Sequence, residues 1–474
     1  MKRTAALFAL MVFGLLVLSA SDTNRPNIIL VMSDDQGWGQ TSYNKHPILK
    51  TPNLDKMAEN GLRFNRFYAG APVCSPTRAS VLTGRSNDRT GVYSHGYAMC
   101  NQELTIAQAL KKAGYKTAHF GKWHLNGHRG PGVPIFANDP RSPGQFGFDE
   151  WLTVSNFFDI NPIMSRNGQF EEFMGESSHI IVNEALHFIE EEKDNNKPLF
   201  VVIWYGSPHS PWLAGEEDKK PFKNSDEKTQ NHYGELLSMD QSLGNLRDGL
   251  RSMNLAENTL VWFNSDNGGL SPFGPETVGG LRGFKNMIYE GGIRVPCVIE
   301  WPAGIDKNRI TDFPASTMDI FPTIADIVDL PESSMLTPID GSSIKELFRR
   351  DIKTRNKPIP FRHEGRVALV DNNYKLLSLD VDKGVFELYD LKNDPNETRN
   401  LIDEEVVVAK RMIEEFTDWN NSVEASIIGR DYPGGLNEPN GYRVFWYTLP
   451  EYKPYFEQWK NRPEYKSTLN KQKI

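Results

Sequence analysis

In Asn27-Ile28-Ile29-Leu30-Val31-Met32-Ser33-Asp34-Asp35 an apolar run ends abruptly in two carboxylates. Two later stretches repeat the pattern. Residues 199–205 (Leu-Phe-Val-Val-Ile-Trp-Tyr) run into Gly206-Ser207-Pro208-His209, and residues 259–263 (Thr-Leu-Val-Trp-Phe) run into Asn264-Ser265-Asp266-Asn267-Gly268-Gly269. Near-continuous apolar runs of this length suit strands covered on both faces. Helical patterns lie between them, among them residues 53–60 before Gly61 and 104–113 before Gly114. The alternation predicts an α/β fold built on a large, mostly parallel sheet covered by helices. In such sheets ligands gather beyond the carboxyl ends of the strands, which is where these polar residues fall.

Outward from this frame the texture changes near residue 355. Residues 349–360 are charged and hold two prolines, as a linker would. Short strand-like runs follow at 367–370, 374–378 and 385–389, separated by Asp-Asn-Asn and Asp-Lys-Gly turns, and then a helical pattern at 404–419. The expected organisation is a main domain over residues 22–355 and a smaller C-terminal subdomain over 356–474, an antiparallel sheet with a helix. The polar and aromatic tail from residue 437 fits no element by pattern.

At the other end, Lys2 and Arg3 precede an apolar run from residue 5 to 18 and the small residues Ser19, Ala20 and Ser21. This reads as a signal peptide over residues 1–21, and so as an exported protein, periplasmic or secreted. The run is shorter than the roughly 20 residues a spanning helix needs, and no later stretch approaches that length, so the mature chain is expected to span no membrane. Removing Lys2 and Arg3 takes two positive charges from a formal net charge of −8, leaving −10. Bulk repulsion then argues against nucleic acid as a partner, and an anionic substrate would need a local cluster of cations. The three cysteines, Cys74, Cys100 and Cys297, make no disulfide scaffold, and their odd number leaves at least one unpaired or chemically altered. Cys100 and Cys297 could bridge, but two separate buried thiols are the favoured reading.

Cys74 opens the segment Cys74-Ser75-Pro76-Thr77-Arg78-Ala79-Ser80-Val81-Leu82-Thr83-Gly84-Arg85. Ser75 suits an N-cap, Pro76 a first helical residue and Gly84 a helix end. Cys74 would then stand at a helix N-terminus, where free N–H groups and the dipole favour an anion, with Arg78 one turn on. By local pattern alone, a capped helix with an incidental cysteine fits equally well.

Cys-X-Pro-X-Arg followed by Leu-Thr-Gly-Arg resembles the type I sulfatase family, in which an enzyme converts that cysteine to formylglycine. Cys74, Pro76 and Arg78 match the residues the converting machinery reads; Thr77 stands where the family more often has Ser or Ala. A second block, Gly114-Tyr115-Lys116-Thr117-Ala118-His119-Phe120-Gly121-Lys122-Trp123-His124, is similar to the family's Gly-Tyr-X-Thr-X-X-X-Gly-Lys-X-His. Pro208-His209-Ser210-Pro211 and Leu281-Arg282-Gly283-Phe284-Lys285 resemble two further family segments. The resemblance implies an alkaline-phosphatase-like fold and a sulfatase of the arylsulfatase type.

It also implies roles. Asp34, Asp35, Asp266 and Asn267 would bind Ca²⁺ together with the modified residue 74; their hard oxygens alone suit calcium or magnesium and not zinc. A gem-diol at position 74 would attack sulfur, with Asp266 accepting its proton and His124 serving as base for the second hydroxyl. Arg78 and Lys122 would orient the diol. Lys122, His209 and Lys285 would contact the sulfate, with His209 and Lys285 at the leaving oxygen. The implied partners are a sulfated small molecule or carbohydrate as substrate and a formylglycine-generating enzyme during maturation. Walls for the substrate are expected from residues 127–161, 270–280 and the aromatic stretch 442–447. Competing readings are a phosphomonoesterase, phosphodiesterase or phosphonate hydrolase of the same superfamily, and a non-catalytic binding protein that kept the fold.

Overall fold

The computed structural model describes residues 25–471; the expected signal peptide lies outside the described residues. The strand Asn27–Ser33 sits at the centre of the sheet, parallel to Leu199–Trp204 on one side and Thr259–Ser265 on the other. The three apolar runs are therefore neighbours, and their polar ends meet. Ile28, Leu30 and Met32 enter the core on one face, while Ile29 and Val31 enter the core on the other. Both faces are buried, so period-two alternation never reaches water and the run reads as continuous.

The sheet order is Arg309–Thr311, Leu62–Tyr68, Arg294–Glu300, Thr259–Ser265, Asn27–Ser33, Leu199–Trp204, Lys116–Lys122, Glu150–Val154, Ile163–Arg166, Gln169–Glu172. From Thr259–Ser265 to Glu150–Val154 every pairing is parallel, and antiparallel strands flank this block on both sides. One face is covered by Cys74–Thr83, Ile106–Lys112 and Ile320–Ile327, the other by Pro52–Asn60, Ser177–Glu192 and Glu227–Ser252. This is the alkaline-phosphatase-like architecture.

A second, antiparallel sheet joins Ile359–His363, Arg366–Asp371, Tyr374–Ser378 and Glu387–Asp390, with the helix Val406–Ile427 packed on it. Its first strand begins inside the stretch whose composition suggested a linker. Pro360 is tolerated there because this is an edge strand, where a missing N–H breaks no ladder. The aromatic tail departs from this sheet. Val444–Phe445 pairs in parallel with His128–Arg129, and Trp446, Tyr452, Trp459 and Tyr465 pack on Val133 and Ile163 of the main domain. Among the described residues no helix is long and apolar enough to cross a membrane. Cys74, Cys100 and Cys297 are separate free thiols; Cys100 is only half-buried.

Candidate active site

The strand ends bring the expected oxygens together. Asp34, Asp35, Asp266 and Asn267 are all buried. The Asp35 backbone, held at a φ of 66°, donates its N–H to Asp266 Oδ1 at 3.0 Å, and Asn267 Nδ2 donates to Asp35 Oδ1 at 2.9 Å. Three carboxylates this close repel one another and need cations. Lys122, at the end of its own parallel strand, donates to Asp34 Oδ2. Lys285 Nζ lies 2.5 Å from Asp35 Oδ1, and Arg78 donates to Asp266 Oδ2 at 2.8 Å. Arg78 is fully buried, its guanidinium 5.0 Å from the Trp204 ring centroid.

The electrostatics follow from this packing. Burial alone would push the Asp34 carboxyl up, yet the combined charges of Lys122, His209, Arg78 and Lys285 hold it well below the usual range. Asp266 goes the other way: burial, then the Asp34 charge, push it up to about 7. Lys285 stays protonated because Asp35 and its neighbours outweigh burial. His124 is held well below its ordinary value by burial and by the cations Lys122 and Arg78. Burial likewise takes His209 down to about 4, helped by Lys285. His209 Nδ1 donates to the Ser210 carbonyl at 2.6 Å, and its ring stacks on Phe157 at 5.2 Å.

Cys74 is the first residue of the helix Cys74–Thr83 and is only 2% exposed. The start differs from the sequence expectation: Val73 occupies the cap position, and no side chain caps the helix. Ser75 falls inside the first turn and uses its hydroxyl to accept the Gly96 N–H at 2.8 Å. A loop packed against the helix start claimed the hydroxyl that local pattern assigned to capping. The end is as expected, with Gly84 in the left-handed region at φ 70°. Burial pushes the Cys74 thiol up, so as a free thiol it is protonated and a poor nucleophile at neutral pH.

Cys74, His124, His209 and Lys285 line one cavity of about 420 Å³. Its outer wall adds His95, Arg129, Asn156, Phe157, Asn286 and Phe445. Residues 127–161 and 442–447 thus supply walls as expected. Residues 270–280 do not. Phe273 stacks on His232 at 3.7 Å, and the Thr277 carbonyl accepts the Gly39 N–H, so this segment packs behind the site on residues 37–40. His95 and Asn286 were missed: an exposed loop histidine and an asparagine next to a motif lysine carry no periodicity or spacing signal.

Two oxygens bear on a metal. Asp34 Oδ1 and Asn267 Oδ1 are buried without a hydrogen-bond partner among the described residues. Ligand atoms of Asp34, Asp35 and His209 lie within 4.8 Å of one another. A buried carboxylate oxygen without a partner is costly, and an oxygen-seeking divalent cation would satisfy both orphans. The residues present fit such an ion.

Fold and site together define an alkaline-phosphatase-like hydrolase of anionic esters. Residues 26–330 match the Sulfatase family, and residues 282–421 match the C-terminal region of N-sulphoglucosamine sulphohydrolase. The chain is 34% identical over 405 residues to N-acetylgalactosamine-6-sulfatase of Sus scrofa, covering 76% of this chain and 74% of that one. It is 29% identical over 355 residues to an ulvan-active sulfatase of Formosa agariphila, covering 69% and 66%. In structure it resembles Ps i-CgsB in complex with k-i-k-neocarrahexaose, with a TM-score of 0.75 and 23% identity over 94% of this chain and 99% of that one. The chain belongs to the sulfatase family and is a sulfuric ester hydrolase.

Proposed function

We propose that this chain hydrolyses sulfate monoesters of sulfated carbohydrates, using residue 74 as nucleophile after Cys74 is oxidised to formylglycine. The observation that carries the reading is the position of Cys74, at a helix start lining one cavity with His124, His209 and Lys285, whose ammonium reaches the buried Asp35 carboxylate. The carbohydrate class is supported by the relatives, whose names refer to N-acetylgalactosamine and ulvan. Because Cys74 is buried in the folded chain, a formylglycine-generating enzyme would have to reach it before folding is complete. Export to the periplasm or the medium belongs to the same reading.

Asp34, Asp35, Asp266 and Asn267, with residue 74, would hold Ca²⁺, or Mg²⁺ in its place; the ion would neutralise charge on the sulfate and on the attacking oxygen. Formylglycine as its hydrate supplies two hydroxyls on one carbon, one to attack sulfur and one whose deprotonation expels sulfate. The chain's own groups do the rest. Asp266, whose carboxyl is pushed up to about 7, accepts a proton from the attacking hydroxyl. Arg78 and Lys122 fix the carboxylates from behind, so the charge distribution is set before substrate arrives. His124, held neutral, is free to take the second proton. At the leaving oxygen, Lys285 remains charged, and the negative charge of an arriving sulfate raises the affinity of His209 for a proton.

Peptide mass analysis of the exported protein tests the nucleophile: an aldehyde mass at residue 74 is expected, and active enzyme carrying free thiol there would sink the reading. A panel of sulfated mono- and oligosaccharides, run beside an aryl sulfate and an aryl phosphate, tests the substrate class. A large preference for the phosphate would favour a phosphoester hydrolase instead.

A further inference from the structure

Every cation on the cavity floor has a carboxylate partner: Lys122 pairs with Asp34, Lys285 with Asp35 and Arg78 with Asp266. At the rim the balance is missing. Arg129 lines the cavity, and Arg443 donates to Nε2 of His95, which lines the same wall, at 3.2 Å. Among the described residues neither guanidinium forms an ion pair. Each lies instead over an aromatic ring, Arg129 over Phe445 at 4.4 Å and Arg443 over Tyr97 at 4.7 Å. Arg443 Nε is buried with no hydrogen-bond partner among the described residues. The carboxylate whose field reaches His95, Glu364, is engaged by Ser94, His363 and Arg366. Two like charges are therefore held together without a counter-ion, in a chain that is acidic overall.

The rim is built, not loose. Val444 donates its N–H to the Gly127 carbonyl at 2.8 Å, and Ala98 donates to the Tyr442 carbonyl at 2.9 Å. Gly127 has φ 82°, and a Cβ there would sit 2.4 Å from the Tyr442 ring, so only glycine allows the tail this close. Trp446 anchors the next residues through its indole N–H to the Pro131 carbonyl at 2.9 Å. The loop of His95 is tied to the floor, since the Gly96 N–H is the one that Ser75 accepts beside Cys74. Burial lowers His95 to about 4; as a neutral ring accepting at Nε2, it keeps an Nδ1–H to donate.

We infer that Arg443, Arg129 and His95 form a rim subsite for a second anionic group of the substrate, a sulfate or a carboxylate, so that the enzyme selects multiply anionic saccharides. This rests on the sulfatase reading above and deepens it. The planar guanidinium forks suit either oxyanion.

Calorimetric titration in a Cys74→Ala background with calcium present separates the two claims, because binding is read without turnover. The probes are one monosaccharide carrying a single sulfate, the same sugar carrying two, and its uronic counterpart carrying one sulfate and one carboxylate. Adding Arg443→Gln should weaken a doubly anionic probe about tenfold or more, and the singly sulfated sugar by less than about threefold. Arg443→Lys should fall between, and matched melting curves confirm folding. Whichever doubly anionic probe loses more identifies the group the rim holds. Equal losses for all probes, or none, would overturn the subsite. Absence of sulfate release by the unsubstituted enzyme would count against the nucleophile reading alone.

Discussion

Floor and rim of the same cavity are built on opposite terms. The floor consists of side chains at strand ends, at one helix start and on the turn that carries Lys285, buried except for the half-buried Lys285 and His209, with each cation matched to a carboxylate. The rim consists of loops and a returning tail, half exposed, with two arginines left unmatched. A balanced, buried array costs no reorganisation when charge develops, which is what a chemical step requires. An unbalanced, accessible pair gains only when an anion arrives, which is what selection requires. On the proposed reading, chemistry belongs to the sheet and discrimination to the loops.

Four experiments press on that contrast. The largest effect is expected from Cys74→Ala, which should lower kcat by about 10⁴ or more, on the order of 5 kcal/mol, while circular dichroism stays unchanged. Residual turnover within tenfold of the parent would place the nucleophile elsewhere. Next comes Lys375→Met, behind the floor. Lys375 is fully buried between Glu290 at 3.2 Å and Glu397 at 2.8 Å, and Glu397 accepts the Glu290 N–H. Removing the ammonium strands two buried carboxylates, so denaturant unfolding should show a loss of about 3–5 kcal/mol. Glu290 begins the turn that follows Lys285, so kcat should fall as well; a variant as stable as the parent would mean that the second sheet does not brace the floor.

Calcium itself should act on the floor and not on the rim. Restoring it to chelated protein at about 100 times its Kd should raise stability by about 2.7 kcal/mol, read as a higher Tm. An identical rise in an Asp34→Asn variant would show that the ion binds away from the orphaned oxygens. The smallest effect is expected at Gly127→Ala, where the positive φ and the Tyr442 ring together cost about 1–3 kcal/mol. Limited proteolysis should then cut the tail near residues 437–447, and KM should rise more than kcat falls. A tail as protected as in the parent would show that its docking does not depend on that glycine.

Much of the floor was legible in the chain. Three apolar runs ending in polar residues marked three strands of a mostly parallel sheet, because strands buried on both faces cannot hide their composition; that they are neighbours came from the pairing. The resemblance to the family's motifs picked out Lys122, His124, His209 and Lys285, and the fold brings His124, His209 and Lys285 to one cavity with Cys74. The helix cap was misjudged because Ser75 had a partner 21 residues away, Gly96, that no local pattern announces. The same holds for residues 270–280, expected as a wall: Phe273 is a stacking partner of His232.

The sequence by itself determined the sheet, the strand-end oxygens and the cysteine at a helix start, since these depend on composition and spacing within a few residues. Only the tertiary structure decided which charges are paired and which stand open. Arg129 and Arg443 are 314 positions apart, and nothing in either neighbourhood marks them; they meet because a glycine lets the tail lie against residues 127–129. Pairing of charges is a property of distance in space, and distance in space is what folding adds.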